Sequence, residues 1–367
     1  MPELDVSLLT NKIVGAAFLL SVLLGIVMRA THFCTLGAIS DIALMGHWGR
    51  MRMWLVAIAV AILGTNLLGY MGFIDTSKSL YSGARLLWLS YLVGGVLFGM
   101  GMVFASGCGS KNLIRLGGGN LKSWVVFLAM GVASLATLHG VFALMRVASV
   151  DSIFIMLPVS QDLPSLLTNL FQNTQRAVWQ LISACGFSGL FLIVGLWRGS
   201  LRDDWQRLSG GVIVGLVVVA LWFLSGHLGY LSEDPNTLEE IFLATNSRRM
   251  EALSFVVPYG YTLDLLMRGS DVSQRVTLGI ACLLGLPVGA LIHAVVTRSF
   301  RWEGFRSVED TALHLLGGVL MGVGGVMALG CTIGQGISGL SVLSVGAPIA
   351  VVAMVFGAFL GLHYQSR

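Results

Sequence analysis

The sequence predicts an all-α, polytopic membrane protein made of two inverted pseudo-repeats, and three observations carry that prediction. Of 367 residues, 56% are hydrophobic and 11% charged, against about 25% charged in soluble domains. The apolar residues gather into nine stretches, each near the length a helix needs to cross a bilayer. Finally, Leu92–Cys108 and Leu315–Cys331 agree at 11 of 17 positions at a fixed offset of 223 residues.

The spans read as Ile13–Arg29, Trp54–Phe73, Leu86–Ala105, Trp124–Met145, Val178–Leu196, Gly210–Tyr230, Val276–Val296, Thr311–Leu329 and Val342–Leu362. Little chain remains for a soluble domain. The first span lacks a small-residue cleavage site and is expected to stay in the membrane. A net charge of +4 does not point to nucleic acid here, because the cations follow a topological rule. Arg29, Arg50 and Arg52, then Lys111, Arg115 and Lys122, then Arg198, Arg202 and Arg207, and last Arg298, Arg301 and Arg306 all follow odd-numbered spans. Cytoplasmic loops hold the excess of Lys and Arg, which puts the N-terminus outside and the C-terminus in the cytoplasm.

Span 1 leads into a stretch, Cys34–Met45, that is too apolar for a loop and too short to cross. It reads as a re-entrant half-helix, tolerated at membrane depth only where it is buried in protein or lines a cavity. The offset of 223 extends to it, pairing Gly37 with Gly260, Asp41 with Asp264, Gly46 with Gly269 and Arg52 with Arg275. Leu253–Met267 is therefore its counterpart, with Val257 at the position of Cys34. Asp41 and Asp264 are read as caps or partners for backbone amides at these short helices. Spans 1–4 correspond to spans 6–9, and equivalent spans lie five apart. An odd shift reverses direction, so the halves, 12–146 and 208–363, are inverted around a spacer at 147–207. Inverted repeats with broken helices are the architecture of many secondary transporters. Val150–Asn173 reads as an outer loop carrying an amphipathic surface helix, and Leu231–Ser247 as an acidic insertion.

Chemistry concentrates where the spans break. Five cysteines form no Cys-x-x-Cys pair. Cys185 and Cys282 sit mid-span as packing residues, whereas Cys34, Cys108 and Cys331 stand at breaks. In Gly107-Cys108-Gly109-Ser110-Lys111 the glycines let backbone N–H groups approach a ligand, and the half-helix that follows offers its positive end to an anion. Gly330-Cys331-Thr332-Ile333-Gly334-Gln335 repeats the arrangement with hydroxyl and amide donors. No carboxylate sits at either break, which disfavours a cation route. A thiol is a weak, polarizable donor suited to a soft sulfur or selenium atom, and conduction needs several weak sites rather than one strong one. Lys111, Arg115 and Arg29 can draw an anion to the mouth, although each is also an ordinary residue for the cytoplasmic end of a span. His32-x-Cys34 lacks the second His/Cys pair that a metal site needs, so neither metal nor cofactor is expected. A thiol oxidoreductase and a scaffold for sulfur-handling enzymes stay open as other readings of the same thiols.

From Arg29-x-x-x-Phe33-Cys34, through Ser106-Gly107-Cys108, to Gly317-Gly318-Val319-Leu320-Met321-Gly322 and Gly330-Cys331-Thr332-Ile333-Gly334, the chain resembles the YeeE/YedE sulfur transport family of the bacterial inner membrane. The resemblance implies a protein that is not an enzyme. It implies uptake of thiosulfate or a related sulfur anion into the cytoplasm, relayed by Cys34, Cys108 and Cys331 through S–H···S contacts. It also implies cytoplasmic associates, either TusA-like sulfur carriers or rhodanese-type sulfurtransferases. Thiosulfate-type members resemble Gly-Cys-Ala-Thr-Gly-Thr where this chain has Gly107-Cys108-Gly109-Ser110-Lys111-Asn112. That departure leaves sulfite, a selenium compound or another sulfur species open as substrate.

Overall fold

A computed structural model of the chain describes residues 3–172, 175–197, 205–233, 238–271, 275–305 and 307–365. Arg198, Arg202, Arg306 and part of the Leu231–Ser247 insertion lie outside the described residues. Among those described, nine helical stretches are long and apolar enough to cross a membrane. The helices that build them are α1 (Glu3–Ala30), α3 (Gly49–Tyr70), α4 (Trp88–Phe104), α6 (Leu121–Leu138), α9 (Arg176–Trp197), α10 (Trp205–Phe223), α12 (Leu278–Val296), α13 (Val308–Met327) and α14 (Gly346–Gln365). Between them run the short helices α2 (Thr35–Met45), α5 (Gly109–Gly117), α7 (Val141–Ala148), α8 (Leu163–Leu170) and α11 (Val257–Met267). A further helical turn over 332–341, with π geometry at Gly334–Gly339, follows α13.

In hydrocarbon, helices have no hydrophobic drive toward one another, so close backbone approach through small residues holds them together. The centre of the molecule works this way. A Cβ on Gly94 would lie 2.6 Å from the Gly324 carbonyl oxygen, and one on Gly101 would lie 2.8 Å from that of Gly317. The partners descend along α13 as they ascend along α4, so the two helices run antiparallel. Adding 223 to Gly94 and to Gly101 gives Gly317 and Gly324, so the two contacts exchange under the repeat. Around this pair α4 packs on α14 and α6 on α13, while α1 packs on α12 and α3 on α10. Each of these contacts has its counterpart in the other half.

The helix ends follow from local chemistry. Ser307 accepts from Asp310 N–H at the start of α13, where Glu309 and Asp310 face the positive end of the helix. Asn120 accepts from Ser123 N–H at the start of α6. The fourth span is shorter than the sequence suggested. It closes at Leu138, because His139-Gly140 turns the chain into a separate helix, α7, which has no buried residue. α7 exposes Phe142, Leu144, Met145 and Val147 and is tied back by an Arg146–Asp151 ion pair at 2.9 Å. The last span begins at Gly346 rather than Val342, because Ser344-Val345 bends to meet Gln161 and Asp162. Among the described residues of Val150–Asn173 only Leu163–Leu170 is helical, capped by Asp162, while Ile155–Met156 pairs with Arg85–Leu86. Asp41 and Asp264 cap no helix. They instead face guanidinium groups, Asp41 that of Arg50 at 3.4 Å and Asp264 that of Arg268.

Candidate functional site

Three times the chain ends a helix, turns sharply and starts another on a cysteine. In each case the residue two before the cysteine is left-handed without being glycine: His32 at φ 54°, Ser106 at φ 53° and Leu329 at φ 53°. The next N–H then reaches back over the helix end, from Phe33 to the Met28 carbonyl, from Gly107 to Met102 and from Gly330 to Gly325, at 3.0, 2.8 and 2.8 Å. This is the Schellman closure, and it delivers Cys34, Cys108 and Cys331 to the N-cap positions of α2, α5 and the 332–341 turn. The Cys34 Sγ accepts from Gly37 N–H at 3.3 Å and the Cys331 Sγ from Gly334 N–H at 3.3 Å. The Cys108 Sγ lies 3.3 Å from Ser110 Oγ and also meets the Cys34 thiol and the Thr332 side chain. All three thiols are buried, at 9%, 1% and 1% exposure, so they lie in the protein interior rather than on its surface.

An amide braces each of the two repeated breaks. Asn112 Nδ2 donates to the carbonyls of Gly107 and Cys108 at 2.9 and 3.2 Å, and Gln335 Nε2 to that of Ala328 at 2.6 Å. Asn112 and Gln335 are 223 residues apart, so the repeat itself signals Asn112, which composition and motif did not single out. Gly107 leaves room for the Lys111 side chain, its Cβ position being 3.0 Å from Lys111 Cγ. Gly109 sits under Met130, the Phe255 carbonyl and Tyr259, whose hydroxyl donates to the Gly109 carbonyl at 2.8 Å. Gly330, at φ 157°, and Thr332 complete the turn around Cys331.

The two ends of this interior differ in chemistry. Near Cys34 the charges of Arg29, Arg50, Lys111 and Arg207 all act on His32. Arg29 also has a mechanical role, donating to the Ile114 carbonyl at 3.4 Å and to Ser299 at 3.2 and 3.3 Å, so it ties α1 to the end of α5 and to the α12–α13 connection. Near Cys331 stand hydroxyls instead. Tyr81 hydrogen-bonds Ser254 beside Cys331, and both line a cavity of about 160 Å³ with Asn246, Glu251, Tyr261 and Leu329. Tyr81 and Ser254 carried no sequence signal, since they lie in connections that meet only in the fold. Among the described residues no group of three His, Cys, Asp or Glu side chains is arranged to hold a metal.

A profile described as sulphur transport matches residues 30–360. The chain belongs to the sulphur transport family. It is 25% identical to the thiosulfate transporter TsuA of Escherichia coli K12 over 358 residues, covering 92% of this chain and 90% of that one. It is 24% identical over 352 residues to the thiosulfate transporter TsuA of Spirochaeta thermophila, covering 94% and 96%. A probable transporter of Xylella fastidiosa is 25% identical over 171 residues, which cover 44% of this chain and 99% of that protein. The family description and the names of these relatives indicate a transporter, not an enzyme, and the nine apolar helices among the described residues make this chain a multi-pass membrane protein.

Proposed function

We propose that the protein conducts thiosulfate, or a closely related sulfur anion, across the bacterial inner membrane into the cytoplasm by way of Cys331, Cys108 and Cys34. The observation that carries this reading is the threefold Schellman–cysteine break, which sets buried thiols at helix starts inside a family of sulfur transporters. Helix starts attract anions through unpaired N–H groups and the helix dipole. Thiols add a weak, polarizable contact that a terminal sulfur can make and leave. The anion enters through the cavity at Tyr81 and Ser254, passes Cys331 with Gly330, Thr332, Gly334 and Gln335 around it, and crosses to Cys108 with Gly107, Gly109 and Ser110. It leaves past Cys34 toward Lys111 and Arg29, which hold a positive potential at that end.

In this reading 12–146 and 208–363 are the inverted halves around the spacer 147–207. The hydroxyl-lined mouth faces the periplasm with the N-terminus, and the basic mouth faces the cytoplasm with the C-terminus. A TusA-like carrier or a rhodanese takes the sulfur compound there. The family resemblance supports that partner.

Cells expressing Cys108→Ala are expected to lose labelled thiosulfate uptake by at least about tenfold, the scale of ~1.4 kcal/mol at one site. Cys282→Ala keeps uptake near the wild-type level, because Cys282 only packs α12 on α1, its Sγ 3.8 Å from the Ala17 carbonyl. Equal uptake by the two variants would sink the proposal.

A further inference from the structure

The cavity lined by Tyr81 and Ser254, beside Cys331, contains a feature an anion route would not be expected to need, a carboxylate. Glu251 lines it, with Oε1 accepting from Ser247 N–H at 2.9 Å and further hydrogen bonds from the Ser247 hydroxyl and Asn246 N–H. Among the described residues, Tyr81, from the connection between α3 and α4, and Tyr261, from α11, are the titratable groups that line the cavity with it. Both are neutral near pH 7, and among the described residues none of the hydrogen-bond partners of Glu251 is a cation. Glu251 lies in the connection before α11, outside the spanning helices. Burial there pushes its carboxyl above the usual carboxylate range, against the opposing pull of the Ser247 and Asn246 hydrogen bonds.

A fixed negative charge in a chamber of about 160 Å³ repels any anion that shares it, and low surrounding polarity strengthens the repulsion. A neutral carboxyl in the same place has an O–H to donate. Tyr81 and Ser254 also line it, and their mutual hydrogen bond leaves one hydroxyl proton of the pair free, so the protonated acid adds a second donor suited to the oxygens of an oxyanion.

We propose that Glu251 is the selectivity residue of this mouth: in its neutral form it donates to an oxyanion held with Tyr81 and Ser254, and in its ionised form it turns that anion away. The anion is therefore admitted only while Glu251 carries its proton, and uptake follows the protonated fraction of Glu251 on the side of the mouth. This rests on the proposed function, since it supposes that the cavity is on the substrate's route.

The test is labelled thiosulfate uptake by the full chain in proteoliposomes, with the pH on the cavity side varied from about 5 to about 8. Wild-type uptake is expected to fall about tenfold or more across that range. Glu251→Gln, which is always neutral and keeps a donor, is expected to be flat with pH, at or above the wild-type level at low pH. Glu251→Asp is expected to keep a falling profile. A Glu251→Gln profile with the wild-type slope, or a wild-type profile flat with pH, overturns the proposal and leaves the thiosulfate reading standing. Wild-type protein that carries no thiosulfate at any pH overturns both. Should Glu251→Gln melt well below wild type, the wild-type profile together with Glu251→Asp decides, because a purely structural glutamate would not give uptake that titrates.

Discussion

The break at Cys108 and the break at Cys331 are built from one backbone plan and filled with opposite side chains. Each closes α4 or α13 with a left-handed residue, reaches back over the helix end with a glycine N–H and is braced by an amide from the next turn. Yet Lys111 in the first half stands where Gly334 stands in the second, Ser110 where Ile333 stands, and Gly109 where Thr332 stands. Cys108 neighbours a second thiol, Cys34, whereas Cys331 neighbours the hydroxyls of Tyr81 and Ser254. A symmetric frame with asymmetric contents suits a route that takes an anion in at a neutral, hydrogen-bonding end and passes it to a positive one. The shared backbone supplies the broken helices, and in the proposed function the unshared side chains set the direction.

The largest effect that sharpens this contrast is expected at Lys111. A unit charge about 5 Å from a passing anion is worth ~3 kcal/mol at an effective dielectric near 20. Lys111→Met is expected to lower thiosulfate uptake by about tenfold or more, and Lys111→Glu to abolish it, with both proteins still monodisperse in detergent. If Lys111→Glu transports like wild type, the basic end contributes nothing to conduction and the asymmetry is incidental.

How far these features were legible in the sequence depended on whether their partners were near in the chain. The spans were legible because apolar length is a local property, and the short helix after Cys34 because it was apolar yet too short to cross. The two breaks were legible because Gly-Cys recurred at a constant offset. Arg29 shows where local reading stops. Its carbonyl partners Ile114 and Ser299 lie 85 and 270 residues away, so nothing near Arg29 separates a brace from a side chain reaching for headgroups. Tyr81, Ser254 and Glu251 come from two connections joined only when Leu80 N–H pairs with the Met250 carbonyl at 3.0 Å, and no periodicity announces that meeting. The fourth span reads too long in the sequence for a local reason. Val141–Ala148 is as apolar as a membrane segment, and the turn at His139-Gly140 separates it from α6.

A smaller effect is expected from the two braces, and it should be unequal. Asn112 makes two carbonyl contacts and accepts from Ser123 Oγ at 3.3 Å. Gln335 makes one, and its Oε1 is buried without a partner. A neutral hydrogen bond contributes about 1 kcal/mol net, and stranding a buried carbonyl costs about 1–3 kcal/mol. Asn112→Ala is therefore expected to lower the Tm in detergent more than Gln335→Ala, which loses one bond and relieves one orphaned oxygen. Equal shifts would mean that the two braces carry the same load despite their different partners.

The smallest effect separates the two left-handed residues themselves. Ser106 and Leu329 hold the same φ of 53°, a conformation that costs a residue with a Cβ about 1 kcal/mol and a glycine almost nothing. Ser106 is exposed, so Ser106→Gly sheds the strain and loses little else, and the Tm is expected to rise slightly. Leu329 is partly buried against the core and lines the cavity at Tyr81. In Leu329→Gly the relief of about 1 kcal/mol is outweighed by lost burial, of which a leucine side chain carries roughly 2 kcal/mol, so the Tm is expected to fall. Opposite signs at equivalent positions would show that the second half uses the same turn to plant a wall of the cavity. Matching signs would mean that Leu329 is there for the turn alone, and the cavity at Cys331 would then owe its wall to Tyr81 and Tyr261.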